Sequence, residues 1–260
     1  MAIEPEKSTV EVSPGNSVTA LLYPASKRDR AGITVILGHG AGSNQLSGFM
    51  LMFAVGLASP GLDVMTFNFL YMEQGRHVPD QKAKLESCYG AIIKAALNHK
   101  KLKGNRLVIG GKSMGGRIAS QVAAGWTGLT ELTGSDRVKQ PSKKLNVKTD
   151  IRDNAKHEMG EIGGLVLLGY PLHPPGKPEQ LRDQHLKDVQ APMLFMQGSR
   201  DAFGTPAELR AVIKSAHLPA ILHVIEGGDH SFKVPKSSGI PQQQIYETAM
   251  DEITRWLTAK

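Results

Sequence analysis

Short apolar runs alternate with amphipathic stretches along most of this chain. Residues 32–37 (GITVIL), 63–68 (DVMTFN), 107–109 (LVI), 164–169 (GLVLLG), 193–196 (MLFM) and 222–225 (LHVI) have the length and β-branched content of buried strands. Between them the apolar period changes to that of a helix. One helix is predicted within 48–59, stopped by Pro60-Gly61. A second covers 81–98, with Leu85, Cys88, Tyr89, Ile92 and Ala96 three or four residues apart. From Arg117 onward Ile118, Ala119, Val122 and Ala123 share a face. Thr205-Pro206 caps and opens a helix running to about Ser215, and 178–186 suits a shorter one. A C-terminal helix carries Ile245, Ala249, Ile253, Trp256 and Leu257 on one side. Residues 10–22 alternate around the turn cluster Ser13-Pro14-Gly15-Asn16, which predicts an antiparallel hairpin at a sheet edge.

Strands alternating with helices predict an α/β fold, a mostly parallel sheet covered by helices on both faces. No repeat or linker divides residues 1–260, so one domain is expected. Residues 127–161 break the pattern: acids and bases alternate there with few apolar positions. So long a stretch is either a mobile flap or contains an element the pattern does not reveal.

Composition narrows the functional classes. Apolar residues make up 40% and charged residues 21% of 260, the balance of an ordinary globular protein. There is no apolar run long enough to span a bilayer, so no membrane partner is expected. The first residues, MAIEPEKSTVEVSPG, lack the basic and apolar regions of a signal peptide, and the single cysteine suits a reducing compartment. Both point to a cytoplasmic location. The formal charge of +7 raises nucleic acid as a partner. Its densest basic run, Lys100-Lys101-Leu102-Lys103, falls at a helix end where cations complement the dipole. Aromatics are only 5% of the chain, so stacking has little to work with and no nucleic-acid partner is expected.

The chemistry centres on residues 105–121, NRLVIGGKSMGGRIASQ. Gly111-Lys112-Ser113-Met114-Gly115 is a G-x-S-x-G pattern between a strand and a helix, the context in which it forms a strained elbow presenting the serine. A serine hydroxyl needs a base to accept its proton as it attacks. Among nine histidines, His230 is best placed, just past the last strand and after two glycines. His223 lies within that strand and reads as packing, while His99, His157, His185 and His217 read as solvated. Asp201, just past the preceding strand, is the candidate acid that orients the imidazole; Asp229, adjacent to His230, reads as structural. Lys112 and Arg117 flank the elbow and read as solvated or ion-paired, with attraction of an anionic substrate as the alternative. Cys88 reads as core.

Other chemistries fail on spacing. A phosphate-binding P-loop needs glycine where Arg106 stands, and GHGAGS lacks the third glycine of a dinucleotide fingerprint. His157-Glu158-Met159-Gly160-Glu161 ends in glutamate where a zinc site needs histidine. No cofactor and no metal are expected.

Ser113, Asp201 and His230 follow the order nucleophile, acid, histidine, and here the chain resembles the α/β-hydrolases from Gly32 to the final helix. GKSMGGR, GYPLHPPGKPEQLR and GGDHSF are similar to the small dienelactone-hydrolase-related group, which also includes a subunit of the chromatin-associated NSL complex. Dienelactone hydrolases proper have cysteine where this chain has Ser113. The resemblance implies an α/β-hydrolase fold without a large cap. It also implies an oxyanion hole made by the N–H of Met114 and of Ala41, or of its neighbour Gly40, in the His39–Gly42 loop; His39 itself braces that loop. Tyr170, Leu172 and His173 fall on the wall of the substrate pocket, although a Tyr-Pro-Leu corner serves equally as a packing device. The implied activity is a serine esterase acting on a small-molecule ester. A binding or scaffold protein retaining the fold, or a thioesterase, lactonase or peptidase, are the alternatives. Oligomeric state is not legible.

Overall fold

A computed structural model of the chain describes residues 4–26, 30–126 and 160–259. Eight strands form one sheet in the order β1-β2-β4-β3-β5-β6-β7-β8. They are β1 (Glu6–Ser13), β2 (Asn16–Tyr23), β3 (Ile33–Gly38), β4 (Asp63–Phe67), β5 (Arg106–Lys112), β6 (Ile162–Leu168), β7 (Met193–Gly198) and β8 (Ala220–Ile225). The first two make the expected edge hairpin, and β2 joins β4 antiparallel; every later pairing is parallel.

The central strands read as continuous apolar runs because both of their faces are covered. Ile36, Ile109, Leu165 and Leu167 point into one core with α3 (Lys82–Leu97) and α4 (Met114–Ala124). Val35, Leu37, Val108, Val166 and Leu168 alternate with them into a second core, with α1 (Gly48–Ala58) and α6 (Gln242–Thr258). Cys88 is buried in the first core, as expected. A four-residue helix, α2 (Leu70–Glu73), follows β4 and is too short for periodicity to reveal. The expected Thr205 cap is present: its hydroxyl accepts from the Glu208 N–H, and Glu208 returns a bond to the Thr205 N–H, opening α5 (Pro206–Ser215).

Two expectations are corrected. The helix predicted within 178–186 is not formed, and a single 3-10 turn, Leu186–Asp188, stands at its end. The Arg182 N–H bonds the Leu172 carbonyl and its own carbonyl accepts from the Tyr170 hydroxyl, so the backbone is committed to the neighbouring loop and cannot close helical bonds. His185, read as solvated, is half-buried with Nε2 2.8 Å from the Ser120 hydroxyl. Burial, reinforced by Lys82 and Arg117, lowers its pKa to about 4 and keeps it neutral. The polar stretch 127–161 and His157 lie outside the described residues, except for Gly160 and Glu161. No helix among the described residues is long and apolar enough to cross a membrane.

Tyr89 of α3 is fully buried where β3 and β5 run side by side. Its hydroxyl lies 2.9 Å from the Ile36 carbonyl and 2.7 Å from that of Gly110, and it accepts the Gly110 N–H at 3.0 Å. One phenol thus joins the helix to both strands just below the elbow. Tyr89→Phe is expected to leave these groups unpaired and cost about 1–3 kcal/mol. Urea unfolding checks this, and an unchanged midpoint would show that the backbone groups find other partners.

Candidate active site

β5 ends at Lys112 and α4 starts at Met114, so Ser113 alone makes the reversal. Its backbone is held at φ 51°, ψ −115°, a sparsely populated region costing about 1–3 kcal/mol. The close approach of α4 to β3 sustains this turn. A Cβ on Gly111, whose φ is +145°, would stand 2.2 Å from the Gly38 carbonyl oxygen, and one on Gly115 would stand 2.1 Å from the same atom. Only glycine fits either position.

Ser113, His230 and Asp201 come together at the C-terminal ends of β5, β8 and β7. Ser113 Oγ lies 2.8 Å from His230 Nε2, and His230 Nδ1 lies 2.8 and 3.0 Å from the two oxygens of Asp201. The Asp201 carboxylate is buried, while the His230 side chain is 20% exposed and Ser113 is partly exposed, so the chain of bonds runs from the interior to solvent. With Asp201 accepting at Nδ1, that nitrogen carries the proton and Nε2 is left facing the hydroxyl. Asp229 is structural as expected: it caps its own turn by accepting the N–H groups of Ser231 and Lys233.

Two contributors escaped the sequence reading. Gln197, fully buried at the end of β7, donates to Asp201 Oδ2 and to the Gly204 carbonyl, each at 2.8 Å, and accepts the Tyr170 N–H at 2.8 Å. Its signal was a polar residue in an otherwise apolar strand, four positions before the acid. Phe203 stacks on the His230 ring with centroids 4.2 Å apart, and its N–H donates to Asp201 Oδ1. Nothing in the pattern pointed to it.

The loop after β3 lies against the elbow, where a Cβ on Gly40 would be 3.7 Å from that of Ser113. His39 braces this loop, as expected. Its Nδ1 bonds the Gly40 carbonyl at 2.8 Å, and its Nε2 accepts the Phe69 N–H at 3.1 Å. Burial lowers its pKa to about 4, so the ring is neutral and the Nδ1–H tautomer is fixed.

The expected pocket wall is corrected. Tyr170 and Leu172 are 1% and 0% exposed and belong to the core, because the hydroxyl of one is spent on the Arg182 carbonyl and the other packs over Gly204. His173 is also buried; its Nδ1 bonds Pro174, Nε2 sits a long 3.4 Å from Glu208, and its N–H holds the Phe203 carbonyl. All three support the acid loop from behind and present no surface to a substrate. For Lys112 the reading as solvated or ion-paired is corrected: it is 7% exposed, and its Nζ donates to the His230 main-chain carbonyl instead of a carboxylate. Arg117 is half-buried, and among the described residues its Nε has no hydrogen-bond partner.

A family model described as an alpha/beta hydrolase domain matches residues 31–258. Solved structures share the architecture at low identity. An alpha-beta serine hydrolase homologue from Coxiella burnetii aligns with TM-score 0.68 and 15% identity, over 99% of this chain and 99% of its own. A serine hydrolase without a lid from Xanthomonas campestris gives 0.67 and 16%, over 100% of this chain and 98% of its own. Dienelactone hydrolase from Anabaena variabilis gives 0.61 and 19%, over 95% and 96%. With the sheet order, the elbow and the family match in agreement, the chain belongs to the alpha/beta hydrolase domain family.

Proposed function

We propose that this protein is a serine carboxylesterase acting on small or short-acyl esters through an acyl-enzyme intermediate. The observation that carries this reading is the hydrogen-bonded chain Ser113–His230–Asp201, with 2.8 Å contacts on both sides of the imidazole. His230 Nε2 takes the hydroxyl proton as Ser113 Oγ attacks the ester carbonyl carbon. The resulting imidazolium is stabilised by Asp201 and returns that proton to the leaving alkoxide as the carbon–oxygen bond breaks. Water, deprotonated by the same histidine, then hydrolyses the acyl-serine.

The tetrahedral intermediates carry an oxyanion. Its donors are the N–H of Met114, at the start of α4, and that of Ala41, with Gly40 as the neighbouring alternative. His39 supports the second donor. The Gly40 carbonyl is held by the imidazole and by the Ser43 N–H, and across a trans peptide the Ala41 N–H must point the opposite way. Each donor is worth about 3 kcal/mol in the transition state.

The small-ester part of this reading is supported by the short connection between β6 and β7, which holds a 3-10 turn and no capping helix to build a deep acyl pocket. Thioesters, lactones and amides would meet the same machinery, since the triad fixes the reaction and not the acyl partner. The resemblance to an NSL-complex subunit keeps a non-catalytic scaffold as the competing reading, and the polarised serine argues against it.

Ser113→Ala is expected to cut turnover of p-nitrophenyl acetate by about 1,000-fold or more while leaving the fold intact, and a fluorophosphonate probe is expected to label wild type at Ser113 only. Equal turnover in the mutant, or no labelling of folded wild type, would move the protein to the scaffold reading. Gln197→Leu removes the donor to Asp201 and is expected to lower kcat by about 10- to 100-fold with little change in KM. An unaltered kcat would mean that Phe203 alone seats the carboxylate.

A further inference from the structure

Lys112 occupies the variable position just before the nucleophile, yet its side chain turns inward and is 7% exposed. Its Nζ donates to the main-chain carbonyl of His230, a contact spanning 118 residues of sequence. The amino group sits 3.0 Å from where a Cβ on Gly169 would stand and 5.7 Å from the centre of the Phe49 ring of α1. Thus the end of β5 carries a single ammonium group into a space bordered by the loops after β6 and β8 and by Phe49 of α1.

The charged groups facing it are Asp201 from the loop after β7 and Asp229 from the loop after β8, and the titratable His230 imidazole borders the same space, its Nδ1 3.5 Å from where a Cβ on Gly169 would stand. Phe49 and Gly169 contribute no charge, and the Tyr246 hydroxyl of α6, beside Asp229, is held neutral by a raised pKa. Burial lowers the Lys112 pKa to about 8, against a partial upward pull from the two carboxylates. A base whose folded pKa is depressed costs stability at pH values below that pKa. The cost is relieved as pH rises from about 8 towards the unfolded value. An apolar side chain would fill the space without this cost, so packing does not account for a lysine here.

Its hydrogen bond does. Asp201 orients the His230 ring and Phe203 covers one face, but both act on the side chain. The Lys112 bond acts on the His230 main chain, and it starts from the residue joined to Ser113. We propose that Lys112 is a positioning residue, whose ammonium ties the histidine loop to the nucleophile elbow and so sets the reach between Ser113 and His230. This inference rests on the esterase reading. An ammonium is a stronger donor to a carbonyl than a neutral amine, so the tie weakens when the proton leaves.

The test compares wild type, Lys112→Met and Lys112→Arg, each first checked for folding by circular dichroism. p-Nitrophenyl acetate turnover is followed from about pH 6 to 10, where arginine keeps its charge throughout. Wild-type kcat is expected to fall as pH passes about 8, in step with the Lys112 13Cε resonance. Lys112→Met is expected to lose about tenfold or more in kcat at pH 7, with KM within about threefold and no fall near pH 8. Lys112→Arg is expected to retain more activity than the methionine variant and to show no such fall. A methionine variant with wild-type kcat and pH profile would overturn the proposal. If that variant does not fold, a wild-type kcat flat across this range overturns it, and a fall tracking the lysine resonance supports it. A wild type inert to esters and to fluorophosphonate would overturn the esterase reading instead. In that event the low-field proton resonance of His230 Nδ1–H decides for Lys112: loss or broadening in Lys112→Met supports the tie, and an identical resonance overturns it.

Discussion

The near-contact of α4 with the end of β3 is the constraint on which the site depends. A helix that starts one residue after its strand must fold back over the sheet at once, and this is possible only where backbone can lie on backbone. Gly111 and Gly115 both face the Gly38 carbonyl at distances no Cβ could occupy. That approach forces Ser113 into positive φ and lifts its hydroxyl above the sheet edge, where the histidine and acid loops meet it. It also brings the loop after β3 alongside Ser113, because the carbonyls crowding Gly115 belong to Gly38 and His39. The strained backbone of Ser113, its raised hydroxyl and the position of the loop after β3 are therefore consequences of one packing choice.

The remaining parts of this edge are joined through buried polar groups, most of which reach partners more than twenty residues away. Gln197 links Tyr170, Asp201 and Gly204; His39 joins its loop to Phe69; Tyr89 joins α3 to two strands. Such groups are costly to bury and are retained here with partners in place. Their arrangement around three side chains, with only Ser113 and His230 open to solvent, gives the site a fixed geometry at the surface. It also explains why the first residues after β6 make no pocket wall. Tyr170, Leu172 and His173 face inward because the acid loop needs support from behind.

The sequence alone determined the layer order of the fold and which three polar residues, Ser113, Asp201 and His230, meet at the sheet edge. Both are written locally: continuous apolar runs mark strands buried on two faces, and the G-x-S-x-G elbow needs its glycines at fixed spacing. The strand ends then placed Asp201 and His230 without knowledge of any contact. Only the tertiary structure could decide which way the side chains around them turn. A lysine between a glycine and a serine looks like a surface residue until a loop 118 residues away offers it a carbonyl. Phe203, Gln197 and Tyr170 acquire their roles in the same way, from partners that no local pattern records. Periodicity reports which face of an element is apolar, whereas a buried polar group is defined by what it meets, and that is settled when distant segments pack.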